Sequence, residues 1–132
     1  MPPREIFLSH AAGDRRFASR LADELARRGI RVWYSRRTVL GAQQWHDEIG
    51  KALARCDWFL LVLSPSAVRS EWVKREFLGA LQQKRYRRRI APLLHRRCKY
   101  ERLSWTLESI QQIDFTGDFA RGLRSHPAPV DG

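Results

Sequence analysis

Seven consecutive residues, Asp57-Trp58-Phe59-Leu60-Leu61-Val62-Leu63, form the most apolar run in the chain. Successive side chains of a strand point to opposite faces, so a strand with one wet face alternates apolar and polar residues. After Asp57 this run does not alternate. Both of its faces must be covered, which places it at the centre of a parallel sheet with helices on either side.

The rest of the chain supplies the other layers. Glu5-Ile6-Phe7-Leu8-Ser9-His10 is a short apolar run bounded by small and polar residues and reads as a first strand. Asp14 is placed to cap a helix with a stripe of Phe17, Ala18, Leu21, Ala22, Leu25 and Ala26, which Gly29 stops. Ile30 to Tyr34 is a second strand, Ser35 to Gln44 a polar loop hinged at Gly41, and Trp45, Ile49, Ala52 and Leu53 mark a second helix. Beyond the central run, Ile90 to Leu94 is a fourth strand, with Pro92 expected near a strand end or on an edge. Arg96 to Glu108 is basic and irregular, with a short helix around Trp105; Ser109 to Phe115 is a fifth strand and Asp118 to Leu123 opens a last helix.

Strands alternating with helices pair in parallel through right-handed crossovers. The expected fold is α/β: a flavodoxin-like, doubly wound five-stranded sheet of order 2-1-3-4-5, helices on both faces. Such sheets bind ligands beyond the carboxyl ends of the strands where the winding reverses, here at Ser9-His10 and Ser64-Pro65. Residues 1–124 are read as the domain, and the Pro-containing tail 125–132 as a linker towards another domain.

At 132 residues one core is expected and no second domain fits. No apolar run approaches the roughly 20 residues of a membrane helix, and no signal-peptide core is visible, so a cytoplasmic protein is expected. Cys56 and Cys98 lack zinc spacing and are read as buried or incidental thiols; no metal site is expected. The net charge of +11 is nearly all arginine, densest from Lys84 to Arg89 and on through His95, Arg96, Arg97, Lys99 and Arg102. That patch suits an acidic partner or a solvated face; without a recognised motif, direct nucleic-acid binding is not expected.

The segment after the central run carries the chemistry. With Ser70 as N-cap, Glu71 to Lys84 can run as one helix whose inner stripe is Trp72, Val73, Phe77, Ala80 and Leu81. Glu76 lies one turn beyond Trp72, on the flank of that stripe, whereas Lys74 and Arg75 point elsewhere. A partly desolvated carboxyl group has a raised pKa or a preorganised charge, as acid or charge-stabilising catalysis requires. The alternative is a helix-edge glutamate paired with one of the chain's 21 arginines.

Taken together, Ile6-Phe7-Leu8-Ser9-His10 with Asp14, Val32-Trp33-Tyr34, Leu40-Gly41 with Trp45, Leu63-Ser64-Pro65-Ser66 and Ser70-Glu71-Trp72 with Glu76 resemble the Toll/interleukin-1 receptor (TIR) domains, the bacterial and plant branches above all. The resemblance covers nearly the whole chain. It implies a hydrolase that cleaves the nicotinamide–ribose bond of NAD+, which enters as substrate with no separate cofactor, through a glutamate that here is Glu76. The products implied are nicotinamide and ADP-ribose or a cyclic isomer. Substrate contacts are expected from Ser9, His10, Ser35, Arg36, Trp45 and Trp72, with Trp72 stacking on a base. Ser35 stands where many relatives carry an aspartate. No phosphate-cradling glycine loop is present, so the pyrophosphate falls to backbone amides near His10 to Gly13 or to Arg36 or Arg37. His10 also has a structural reading, as a hydrogen-bonded strand-end residue, and Trp45 reads as core or as pocket wall. Trp33 and Trp58 are read as core. Relatives of this kind act when several copies gather, which implies homo-oligomeric partners and a sensor domain after the tail, in a bacterial defence protein. The competing reading is a non-catalytic adaptor that works through head-to-tail contacts between such domains.

Overall fold

The computed structural model describes residues 3–34 and 42–124, with 42–46 as backbone only. Strands β1 (Glu5–Ser9), β2 (Arg31–Tyr34), β3 (Trp58–Leu63), β4 (Ile90–Leu94) and β5 (Ile113–Asp114) form one sheet of order β2-β1-β3-β4-β5. Every pairing is parallel. The helices are α1 (Arg15–Arg27), α2 (Ala42–Arg55), α3 (Pro65–Val68), α4 (Glu71–Leu81) and α5 (Phe119–Arg124).

The apolar run is β3, and its alternate residues enter two separate cores. Phe59, Leu61 and Leu63 pack with Phe7, Leu53, Val73, Phe77 and Tyr86 on the α2 and α4 side. Leu60 and Val62 pack with Ile6, Leu8, Leu21, Leu93 and Phe115 on the α1 side. A polar residue at any of these β3 positions would be desolvated without a partner.

Helix ends follow local chemistry. Gly29 takes φ 81 just beyond α1, a conformation that costs a residue with a Cβ but not glycine. Ser70 caps α4 by accepting from the Val73 amide at 3.2 Å.

Several expectations are corrected. The fifth strand is two residues long, not Ser109 to Phe115, because Trp105–Ser109 coils into a 3-10 turn closed by the Ile110 amide on the Leu107 carbonyl. Helix α4 stops at Leu81 rather than Lys84, and Leu81 is exposed instead of lining the core. Pro92 sits in the middle of an interior strand, opposite Leu61. It is tolerated there because β4 residues face alternate neighbours. The amide of His95 reaches β3 and the carbonyl of Leu94 reaches β5, so the Pro92 nitrogen lies on the β5 side, where pairing spans only Leu93 and Leu94. Asp14 precedes α1 as expected, but its side chain makes no capping bond.

Candidate functional site

Among the described residues, the buried polar side chains lie at the carboxyl ends of β1 and β3 or bond to residues there. Ser9, His10, Asp14, Ser64 and Glu76 are each no more than 5% exposed, amid otherwise apolar cores. Two of the five are carboxylates, and each is held by a serine hydroxyl.

The first pair joins Ser64 to Asp14. Ser64 ends the apolar run as the N-cap of α3, with Pro65 in the first turn, where proline's missing N–H costs nothing. Its Oγ accepts from the Ala67 amide at 3.0 Å and donates to Asp14 Oδ2 at 2.5 Å. The loop carrying Asp14 packs so closely that a Cβ on Gly13 would lie 2.9 Å from Ser66 Oγ. Both capacities of the Ser64 hydroxyl serve the β3–α3 turn, so this pair is accounted for by folding.

The second pair joins Ser9 to Glu76. Ser9 Oγ donates to Glu76 Oε1 at 2.6 Å, with both residues buried. The acid is not on the flank of α4 but inside its buried stripe, which is Val73, Glu76, Phe77 and Ala80. Residues three and four apart share a helix face, so Glu76 faces inward with Val73 and Ala80 and is only 3% exposed. Glu76 is therefore an inward-facing residue of α4 and not an exposed helix-edge one.

His10 is buried beside Ser9, and its ring meets Tyr34 edge-on at 5.9 Å, a neighbour the sequence reading did not name. Trp72 is half-buried one turn before Glu76. Arg75, expected to point elsewhere, reaches over it with its guanidinium carbon 5.2 Å from the ring centroid. Ser35, Arg36 and Arg37 lie outside the described residues. Trp45 is in α2, but its side chain is not among those described. Trp33 packs on Phe7 at 4.8 Å and Trp58 against the α1-side core, as expected of core residues.

The described cavities lie elsewhere. One of about 140 Å3 is apolar, lined by Leu21, Leu25, Leu60, Leu93 and Phe115 among others, on the opposite side of the sheet from Glu76. A larger one of about 380 Å3 lies between the end of α4 and β4, rimmed by Lys84, Arg87 and Arg88. Neither brings together an acid, a hydroxyl and an imidazole, so size does not locate the chemistry here. Among the described residues no group of three His, Cys, Asp or Glu is placed to hold a metal, and no helix is long and apolar enough to cross a membrane.

The basic patch is partly internal scaffolding. Arg85 Nη1 donates to the Cys56 carbonyl at 3.2 Å and the Leu53 carbonyl at 3.5 Å, closing the C-terminus of α2. His95 stacks on Phe17.

Comparison with known proteins agrees with this fold. A family profile described as TIR domain matches residues 6–126. The NAD(+) hydrolase PdTIR of Paracoccus denitrificans is 31% identical over 116 residues, covering 86% of this chain and 39% of that protein. The 2' cyclic ADP-D-ribose synthase BtTIR of Bacteroides thetaiotaomicron is 27% identical over 104 residues, 77% of this chain and 36% of that protein. The chain thus spans well under half the length of these relatives. Among solved structures, the TIR domain of the Toll-related receptor TRR-2 from Hydra magnipapillata superposes with a TM-score of 0.73 at 19% identity, covering 89% of both chains.

Proposed function

The chain belongs to the TIR domain family, and from that premise we propose that it cleaves the nicotinamide–ribose bond of NAD+ with Glu76 as the catalytic carboxylate. The observation that carries this reading is a glutamate 3% exposed, inside a helix's buried stripe and tethered by a serine at the switch point of the sheet.

The chemistry needs little more. When the bond between ribose C1' and the pyridinium nitrogen breaks, its electron pair goes to nitrogen and nicotinamide leaves neutral, without a proton donor. Positive charge passes to C1' and the ring oxygen, as in glycoside hydrolysis. A carboxylate fixed in a water-poor site stabilises that charge more than it would in water, and it does not have to reorganise during the step. Water then adds to C1' and loses a proton, giving ADP-ribose; attack by a hydroxyl of the same molecule gives a cyclic isomer. The names of the relatives, one a hydrolase and one a synthase of a cyclic product, support the same first step. NAD+ is the substrate, and no cofactor is required.

The same proposal covers the setting. The domain is the effector part of a bacterial immune protein in the cytoplasm, active when copies associate and joined through residues 125–132 to a sensor domain.

The test is nicotinamide release from NAD+ by the chain held in clusters through a fused oligomerising module. Activity should appear on clustering. Glu76→Gln should lower it by roughly a hundredfold or more while stability stays within about 1 kcal/mol, since the amide keeps the shape and can still accept from Ser9. A clustered native chain that releases no nicotinamide, or a glutamine variant that matches it, overturns the assignment.

A further inference from the structure

The two serine–carboxylate pairs differ in what the hydroxyl does besides. Ser64 Oγ also caps a helix. The only partner described for the Ser9 hydroxyl is Glu76. Ser9 follows Phe7 on the same face of β1 and so continues the row that faces α2 and α4, where Phe7 is fully buried in the core. Glu76 adjoins Phe77, which is buried in that same core.

Fold stability does not explain such a pair. A buried hydroxyl and a buried carboxyl each give up water, and the bond between them returns little beyond that cost, so two apolar side chains of similar volume would serve the core as well. What the bond does supply is geometry. A glutamate has three side-chain torsions, and a short bond from a strand residue to Oε1 fixes where the carboxylate stands relative to the strand ends.

We infer that Ser9 is the positioning residue of the carboxylate: its hydroxyl holds Glu76 in the orientation that meets the developing charge on the ribose, rather than binding the dinucleotide itself. This rests on the NAD+-cleaving role proposed for Glu76, and it revises the expectation that Ser9 contacts substrate. A carboxylate released from its tether samples other rotamers. The bound substrate then meets the correct one in only a fraction of complexes, which lowers kcat and leaves KM for NAD+ in place.

The experiment measures kcat and KM for nicotinamide release by the clustered full chain carrying Ser9→Ala, Ser9→Thr or Ser9→Val, each also combined with Glu76→Gln. Threonine and valine have nearly one shape and differ in the hydroxyl, so the comparison holds even if alanine impairs folding, which thermal unfolding of each variant checks. Ser9→Ala and Ser9→Val should lose about tenfold to a hundredfold in kcat with KM within about twofold, and Ser9→Thr should recover most of the loss. In the Glu76→Gln background the Ser9 substitutions should change the residual rate by less than about twofold, because the group they orient is already gone.

A rise in KM at constant kcat makes Ser9 a substrate contact and overturns the inference. Equal rates for threonine and valine overturn it as well, since the hydroxyl then does nothing. If the native chain cleaves NAD+ and Glu76→Gln does not, while Ser9→Ala keeps full kcat, the positioning role alone falls. If the native chain is inert, the function falls and takes this role with it.

Discussion

The imidazole of His95 lies almost flat on the ring of Phe17, centroids 4.1 Å apart and planes 19° from parallel. Its Nδ1 is buried and has no hydrogen-bond partner among the described residues. Burial disfavours the imidazolium and outweighs the pull of the Asp14 carboxylate, while Arg96 adds to the lowering, so the pKa falls below the ordinary 6.5.

Stability should therefore depend on pH in a set direction. As pH drops through 6.5 the unfolded chain binds a proton that the folded chain refuses, so stability contributed above that value is lost towards the lower folded-state pKa. His95→Phe keeps the stacking and removes the titration. Urea unfolding between about pH 7.5 and pH 5 should show a smaller fall for the variant than for the native chain. A variant that falls as steeply refutes this.

Asp14 is tied to the same imidazole. Asp14→Asn should lower the His95 pKa further, read from the imidazole proton shifts in an NMR titration, because the residue that favours its charge is gone. Ser64→Ala removes the α3 cap and the donor to a buried carboxylate together, and should cost about 2–3 kcal/mol in chemical unfolding. A loss of only a few tenths would mean that neither bond matters.

The thiols should separate by exposure. Cys56 is fully buried, and desolvation, aided by Glu5, pushes its pKa up to about 12, so almost no thiolate forms at neutral pH. Cys98 is half-buried and its pKa is raised too, by burial first and then by Glu101 and Asp14. Alkylation of the folded chain at pH 7 should be slow and confined to Cys98, with Cys56 modified only on unfolding, as mass spectrometry of the labelled peptides would show.

Arg88 has φ 64, a left-handed conformation on a residue with a Cβ, in the turn from the Lys84–Tyr86 3-10 turn into β4. Arg88→Gly should raise stability by about 1 kcal/mol, the relieved strain exceeding the added chain entropy of glycine. Arg88→Ala keeps the Cβ and should bring no such gain. Equal effects of the two substitutions would show that charge, not backbone, sets the change.

Much of the architecture was legible along the chain. The run from Trp58 to Leu63 required cover on both faces, Gly29 and Ser70 marked helix ends, and the alternation of elements implied the sheet order, because each of these depends on local periodicity or backbone preference. Where distant segments compete for the same groups, the sequence was silent. Ser109 to Ile110 has a strand's composition but bonds to its own turn, and Pro92 survives inside the sheet only because β5 is short.

The sequence by itself determined that a glutamate stands on the helix after the central strand, one turn past a tryptophan. That followed from helical spacing, which a short segment reveals. Only the tertiary structure decided that Glu76 lies within the buried stripe and that a strand residue 67 positions away holds it. A hydrogen bond across two elements leaves no periodic trace in either, since it depends on how β1 and α4 pack and not on the residues beside it.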